Sequence, residues 1–170
     1  MGLQQPVFLD STVLSNFAST DSVDWLIDLL EDPVVTPEVA RELREGIAAG
    51  YDFLQPAVDA VGDGIRLHET PGTMIDEWAD QLGERLDPGE AESAAYAAVE
   101  QGTLATDDLA ARELAGESSA RLTGSIGLLV LGINQGVLDI ETANQWLGTW
   151  RRERGYYAPV QRVEEVLNEE

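Results

Sequence analysis

Five acidic residues stand where a folded chain can bring them together: Asp10, Glu42, Glu90, Asp107 and Asp108. The apolar run Val7, Phe8, Leu9 ends in Asp10, and the uncharged run Thr103 to Thr106 ends in the pair Asp107 and Asp108. Short uncharged runs of this kind suit buried parallel strands. An acid directly after such a strand lies at its carboxyl end, where open α/β sheets gather their ligands. If the two strands are parallel neighbours, Asp10, Asp107 and Asp108 converge at one sheet edge, and Glu42 and Glu90 can reach that edge from flanking helices. Two carboxylates about 4 Å apart repel by roughly 4 kcal/mol at an effective dielectric of 20, so one takes up a proton unless a cation is shared. Mg²⁺ or Mn²⁺ removes the conflict, takes oxygen ligands and keeps waters in its shell. One such water can act as a nucleophile while the cation stabilises charge on a phosphate.

The elements that must position these acids follow from periodicity and punctuation. A strand is expected over Pro6 to Asp10, then a helix capped by Ser11 or Thr12, with Val13, Leu14 and Phe17 on its apolar face. A turn at Ser19 to Ser22 leads to a helix carrying Val23, Trp25, Leu26, Leu29 and Leu30. Val34 and Val35 make a minimal strand. Thr36 caps the next helix, with Pro37 at its first position, and that helix closes at Gly50. On it Val39, Leu43 and Ile47 form one stripe, with Glu42 beside it. Residues 51 to 63 are a helix or loop, Ile65 to His68 a short strand, and Thr73 to Glu84 an amphipathic helix.

Pro88 and Gly89 break that helix, and Glu90 and Glu92 head an Ala-rich one, where acids complement a helix N-terminus. Gln101 and Gly102 end it. A helix over Leu109 to Ala115, an edge strand at Arg121 to Thr123 and an apolar helix over Gly124 to Asn134 follow. Helices over Ile140 to Arg154 and Val160 to Leu167 complete the chain. Strand and helix signals alternate, which predicts a three-layer α/β/α sandwich around a short parallel sheet. The length suits one domain over residues 1–170, with 137–170 as a C-terminal helical extension.

Composition restricts the chemistry. The chain has no cysteine, which excludes thiolate nucleophiles, disulfides and Cys-based metal sites. Its single histidine, His68, has no acid at motif spacing and suits a structural role better than that of a general base. Asp plus Glu number 32 against 10 basic residues, all of them arginine, for a formal charge of −22. Such a charge destabilises a compact chain by self-repulsion, and molar salt, with a Debye length of about 3 Å, screens it. A halophile's salty cytoplasm is therefore the expected setting. The acids are spread along the chain rather than blocked into a tail, which argues against a basic partner. No apolar run approaches the roughly 20 residues of a membrane span, and the N-terminus lacks a signal-peptide pattern, so a cytoplasmic protein is expected. The abundance of acid also makes scattered carboxylates uninformative. Only their placement against strands and helices carries weight.

Four motifs share an order. They read FLDSTVLSNF, TPEVARELREG, LDPGEAESAAYAA and LATDDLAAR, and GSIGLL follows. In this the sequence resembles the PIN domain family of metal-dependent ribonucleases, which includes VapC-type toxins, over roughly residues 6 to 135. The resemblance places the family's acids on Asp10, Glu42, Glu90 and Asp108, with Asp107 alongside and Glu92 less well matched. It implies an endoribonuclease in which Asp10, Glu90, Asp108 and Asp107 hold Mg²⁺ or Mn²⁺. Asp10, Glu42, Glu90 and Asp108 would serve as the catalytic set. The partners implied are an RNA substrate and, in the toxin setting, an antitoxin protein; a homodimer is left open and no membrane is involved. Each acid has a plainer use, with Glu42 and Glu90 as surface acids and Asp107 as a helix cap. Ser11, Thr12, Asn16 and Thr106 suit either orienting the acids or ordinary capping. Arg112 suits either a substrate phosphate or neutralisation of Asp108. The cluster Trp150, Arg151, Arg152, Arg154, Tyr156 and Tyr157 suits a nucleic-acid strand, and its arginines equally suit the dipole at a helix C-terminus. The alternative to an enzyme is a silent PIN-like module that binds protein or RNA.

Overall fold

The strands are as short as the apolar runs that encode them. The computed structural model describes residues 2–69, 88–110, 112–113 and 121–167, with residues 88–90 described by their backbone alone. β1 (Val7–Leu9), β2 (Pro33–Val35), β3 (Arg66–Leu67), β4 (Thr103–Ala105) and β5 (Arg121–Thr123) form one sheet in the order β3-β2-β1-β4-β5. Every pairing is parallel, with Val7 opposite Thr103 and Leu9 opposite Ala105. The chain builds outward from β1 to β2 and β3, then returns to lay β4 on the other side of β1. The boundary between β1 and β4 is thus the switch point of the sheet, outside whose carboxyl ends ligands bind.

Side chains alternate across the pleat. Val7, Leu9, Val35 and Ala105 face a large core with α1 (Ser11–Ser19), α2 (Val23–Leu29), α3 (Pro37–Ala48), α4 (Gln55–Ala60), α6 (Ser125–Asn134) and α7 (Ile140–Glu153). Phe17 is the hub there, ringed by Trp25, Trp146 and Trp150 with centroids 5.9, 6.3 and 4.9 Å away. Burying each such ring contributes about 1.5–3 kcal/mol. Phe8, Val34 and Leu104 face the opposite layer, α5 (Pro88–Val99), through Ala94, Tyr96 and Ala97. Alanine keeps that helix low enough for Phe8 and Tyr96 to stack at 6.0 Å. His68 joins them, 4.0 Å from the Tyr96 ring, with Nε2 3.0 Å from Glu100. It is part of this packed face.

Several expected boundaries shift. The N-cap of α1 is Asp10, not Ser11 or Thr12, because the strand stops at Leu9 and leaves one linking residue. Pro88 and Gly89 lie inside the first turn of α5, where proline has no helical N–H to lose. The last helix, α8 (Glu164–Leu167), is shorter than the run from Val160, because Val163 donates its N–H to Asn144 Oδ1 on α7 at 2.8 Å instead of continuing a helix. The segment 51–63 folds as a 3₁₀ turn (Asp52–Leu54) followed by α4. Thr36 caps α3 as expected, accepting from Val39 N at 3.3 Å. The amphipathic run Thr73 to Glu84 lies outside the described residues, and of Leu109 to Ala115 residues 109, 110, 112 and 113 are described, all helical.

Candidate functional site

Two threonine hydroxyls bind the carboxyl ends of β1 and β4 together. Thr12 Oγ1 donates to Asp10 Oδ2 at 2.8 Å and accepts from Asp107 N at 3.2 Å. Thr106 Oγ1 donates to the same Asp10 oxygen at 2.9 Å and accepts from Asp108 N at 3.2 Å. Each hydroxyl has one proton to give and lone pairs to receive, so each links the Asp10 carboxylate to one amide of the loop that carries the other two acids. Asp10 is fully buried at the head of α1. Its backbone N–H donates to Ala105 O at 3.0 Å, which extends the ladder one residue past the strand. One oxygen of the buried carboxylate thus accepts from both hydroxyls.

Asp107 and Asp108 are neighbours in sequence and differ in use. Asp107 accepts from Ser125 N at 2.7 Å, from the Ser125 hydroxyl, from Asn16 Nδ2 at 3.1 Å and from Tyr156 OH at 3.5 Å. Burial raises its carboxyl above the ordinary range, and the Ser125 donors and the charge of Arg112 oppose that rise. Burial also raises the Tyr156 hydroxyl, with the Asp107 charge second, so the tyrosine stays a neutral donor. Asp107 thereby ties the loop after β4 to α1, α6 and the chain beyond α7. Asp108 turns into a cleft of about 570 Å³ that Ser11, Thr12, Asn16 and Asp107 also line.

Glu42 is not among the described residues lining the cleft but lies next to it, accepting at Oε2 from the hydroxyl of the lining residue Ser11 at 3.0 Å. Glu90 is in the first turn of α5; since that helix precedes β4 and runs against it, its N-terminus lies toward the same sheet edge. Arg112 is exposed, one turn past Asp108, and is not among the described residues lining the cleft. Among the described residues no three acidic or histidine side chains form a ready-made metal-binding group. The chemistry of the donors nonetheless suits a hard cation. They are carboxylate oxygens at the carboxyl ends of β1 and β4, and the fully buried one, Asp10, has two hydroxyls holding its orientation.

A family model described as DUF3368: PIN domain matches residues 6–170. The chain is a PIN-domain protein. Comparison with curated proteins finds no match. The match reaches past residue 135, where the resemblance of the motifs ends, and takes in α7, whose Ala143, Leu147 and Trp150 are buried in the main core. PIN domains have a nuclease-type fold, and the five-stranded parallel sheet between helical layers fits it. One partner of the acids in this PIN domain escapes sequence reading: Ser125, which could have been found, since Gly124 links β5 to α6 as Asp10 links β1 to α1. Tyr156 belongs to the arginine and aromatic cluster read from the sequence, but its bond to Asp107, 49 residues away, had no local signal. Among the described residues no helix is long and apolar enough to cross a membrane.

Proposed function

We propose that this PIN domain is a metal-dependent endoribonuclease that hydrolyses RNA phosphodiester bonds at the β1/β4 edge. The observation that carries the reading is the pair of threonine bridges that hold Asp10, Asp107 and Asp108 at one strand edge. Asp10 and Asp108 would hold Mg²⁺ or Mn²⁺, with Glu90 and Glu42 completing the set. A cation held there would supply an activated water and neutralise charge building on the phosphate. Thr12 and Thr106 keep the Asp10 oxygen aimed, and Ser11 keeps Glu42 at the cleft. Asp107, its oxygens engaged by Ser125, Asn16 and Tyr156, anchors the loop so that Asp108 is presented to the cleft.

Purified protein should cut single-stranded RNA with Mn²⁺ and stop with EDTA. Absence of cleavage with every divalent ion and salt, or cleavage that survives Asp10→Asn, would leave a silent binding module as the better reading. If the chain is the toxin of a toxin–antitoxin pair, its protein partner would have to cover this cleft. The charge of −22 with no lysine supports a halophilic setting. The unfolding midpoint should climb steeply with KCl, and a midpoint equal in dilute buffer and molar salt would remove that part of the proposal.

A further inference from the structure

The wall of the cleft facing the acids is made by the chain as it leaves α7. Trp150 O accepts from Arg154 N at 3.0 Å and again from Tyr156 N at 3.2 Å, with Gly155 between them at φ +61°. A positive φ is inexpensive for glycine, and this tight exit turns Arg154, Gly155, Tyr156 and Tyr157 onto the cleft. Among the described lining residues Arg154 is the one cation. Its guanidinium lies 4.4 Å from the centre of the Phe53 ring, and its Nε is buried with no hydrogen-bond partner among the described residues. Although the chain carries 32 acids, Arg154 makes no ion pair among the described residues, whereas Arg41, Arg66 and Arg162 all do. A cation packed on an aromatic ring and left without an anion is prepared to receive one. The mouth of the cleft adds a second observation. The two most exposed large apolar side chains among the described residues, Tyr157 at 85% and Leu109 at 69%, both line it.

We propose that Arg154 and Tyr157 are the substrate-holding wall of this site: Arg154 takes a backbone phosphate of a single-stranded RNA in the cleft, and Tyr157 stacks on one of its bases. The proposal rests on the ribonuclease reading for the identity of the strand. Its physical logic is separate. A polyanion entering a cleft walled by carboxylates on one side needs a cation opposite them, and an exposed ring gains most from a flat apolar partner such as a base.

The test is binding of a fluorescently labelled single-stranded RNA oligonucleotide to the full chain over a range of KCl, with and without Ca²⁺, the RNA being checked for integrity afterwards. Arg154→Gln should weaken binding about tenfold and flatten the slope of log affinity against log salt by about 0.7, the value of one phosphate contact on a single strand. Tyr157→Ala should weaken it about tenfold with the slope unchanged, and Tyr157→Phe should bind like wild type. Tyr157 is so exposed that its variants test the idea even if Arg154→Gln unfolds for want of its packing on Phe53. Arg44→Gln, at an exposed arginine of α3 outside the cleft, should have no effect; a loss as large as that of Arg154→Gln would mean diffuse attraction and overturn the assignment. If wild type binds and both cleft variants bind equally well, the proposal fails while the nuclease reading stands. If binding depends on Arg154 and Tyr157 but no divalent ion supports cleavage, the nuclease reading fails and the wall stands. Wild type that neither binds nor cleaves RNA ends both.

Discussion

At the acidic edge of the cleft, Asp10 is the first residue past β1 and Asp107 and Asp108 are the second and third past β4, and their partners Thr12 and Thr106 lie within two residues of an acid. On the facing wall, Arg154, Tyr156 and Tyr157 follow a helix that reaches the cleft only because Ala143, Leu147 and Trp150 are buried against α1 and its neighbours. The first wall is built by local chain geometry and closed by short hydrogen bonds. The second is delivered by packing at a distance, and one contact, from Tyr156 to Asp107, joins the two. The acidic wall should therefore be sensitive to single polar atoms, and the other to backbone shape and core volume.

The largest effect that would break this contrast is expected at Asp10. Removal of a principal carboxylate costs several kcal/mol of charge stabilisation, so Asp10→Asn should lower Mn²⁺-dependent cleavage by about a thousandfold or more. In EDTA the same variant should unfold at a higher temperature than wild type, since a fully buried charge beside other acids has been removed. It should also lose the rise in midpoint that Mn²⁺ gives the wild type. A full metal-induced rise in Asp10→Asn would show that Asp10 is not a principal ligand. Next comes Thr106→Val, which keeps shape and deletes both bonds of one bridge. Mn²⁺ affinity by calorimetry should fall ten- to a hundredfold; unchanged affinity would reduce the bridge to simple capping.

Two glycines sharpen the comparison at the level of stability. A methyl group on Gly124 would lie 2.8 Å from Asp107 Oδ1 and 3.2 Å from Thr106 O, so Gly124→Ala should cost about 1–3 kcal/mol in urea unfolding. Gly155 has open space around it, and Gly155→Ala should cost only its left-handed backbone strain, about 1 kcal/mol. Equal costs would mean that the acidic wall is no tighter than the other. The smallest effect concerns pH. Burial raises the Asp107 carboxyl above its ordinary 3.8, so the protonated form favours the folded chain. That contribution is complete below the ordinary value and is lost as pH rises through the raised one. In metal-free buffer, the stability of Asp107→Asn relative to wild type should climb across that window and level off above it. A flat difference would show that Asp107 titrates as in the unfolded chain.

The sequence by itself determined the parallel sheet, the order of its motifs and the location of Asp10, Asp107 and Asp108 at strand ends, because alternation, strand length and capping are encoded within a few residues. It also excluded thiolate chemistry, since cysteine is absent. What only the tertiary structure decided is how the adjacent aspartates are held. Both line the cleft, and Asp107 meets Ser125, Asn16 and Tyr156, brought from three separate elements. The same holds for the arginine-rich end of α7, where dipole complementation and strand binding could not be separated from local pattern. The aim of Arg154 depends on where the buried face of α7 seats the helix, and that seat is set by the aromatic core around Phe17, more than a hundred residues earlier in the chain.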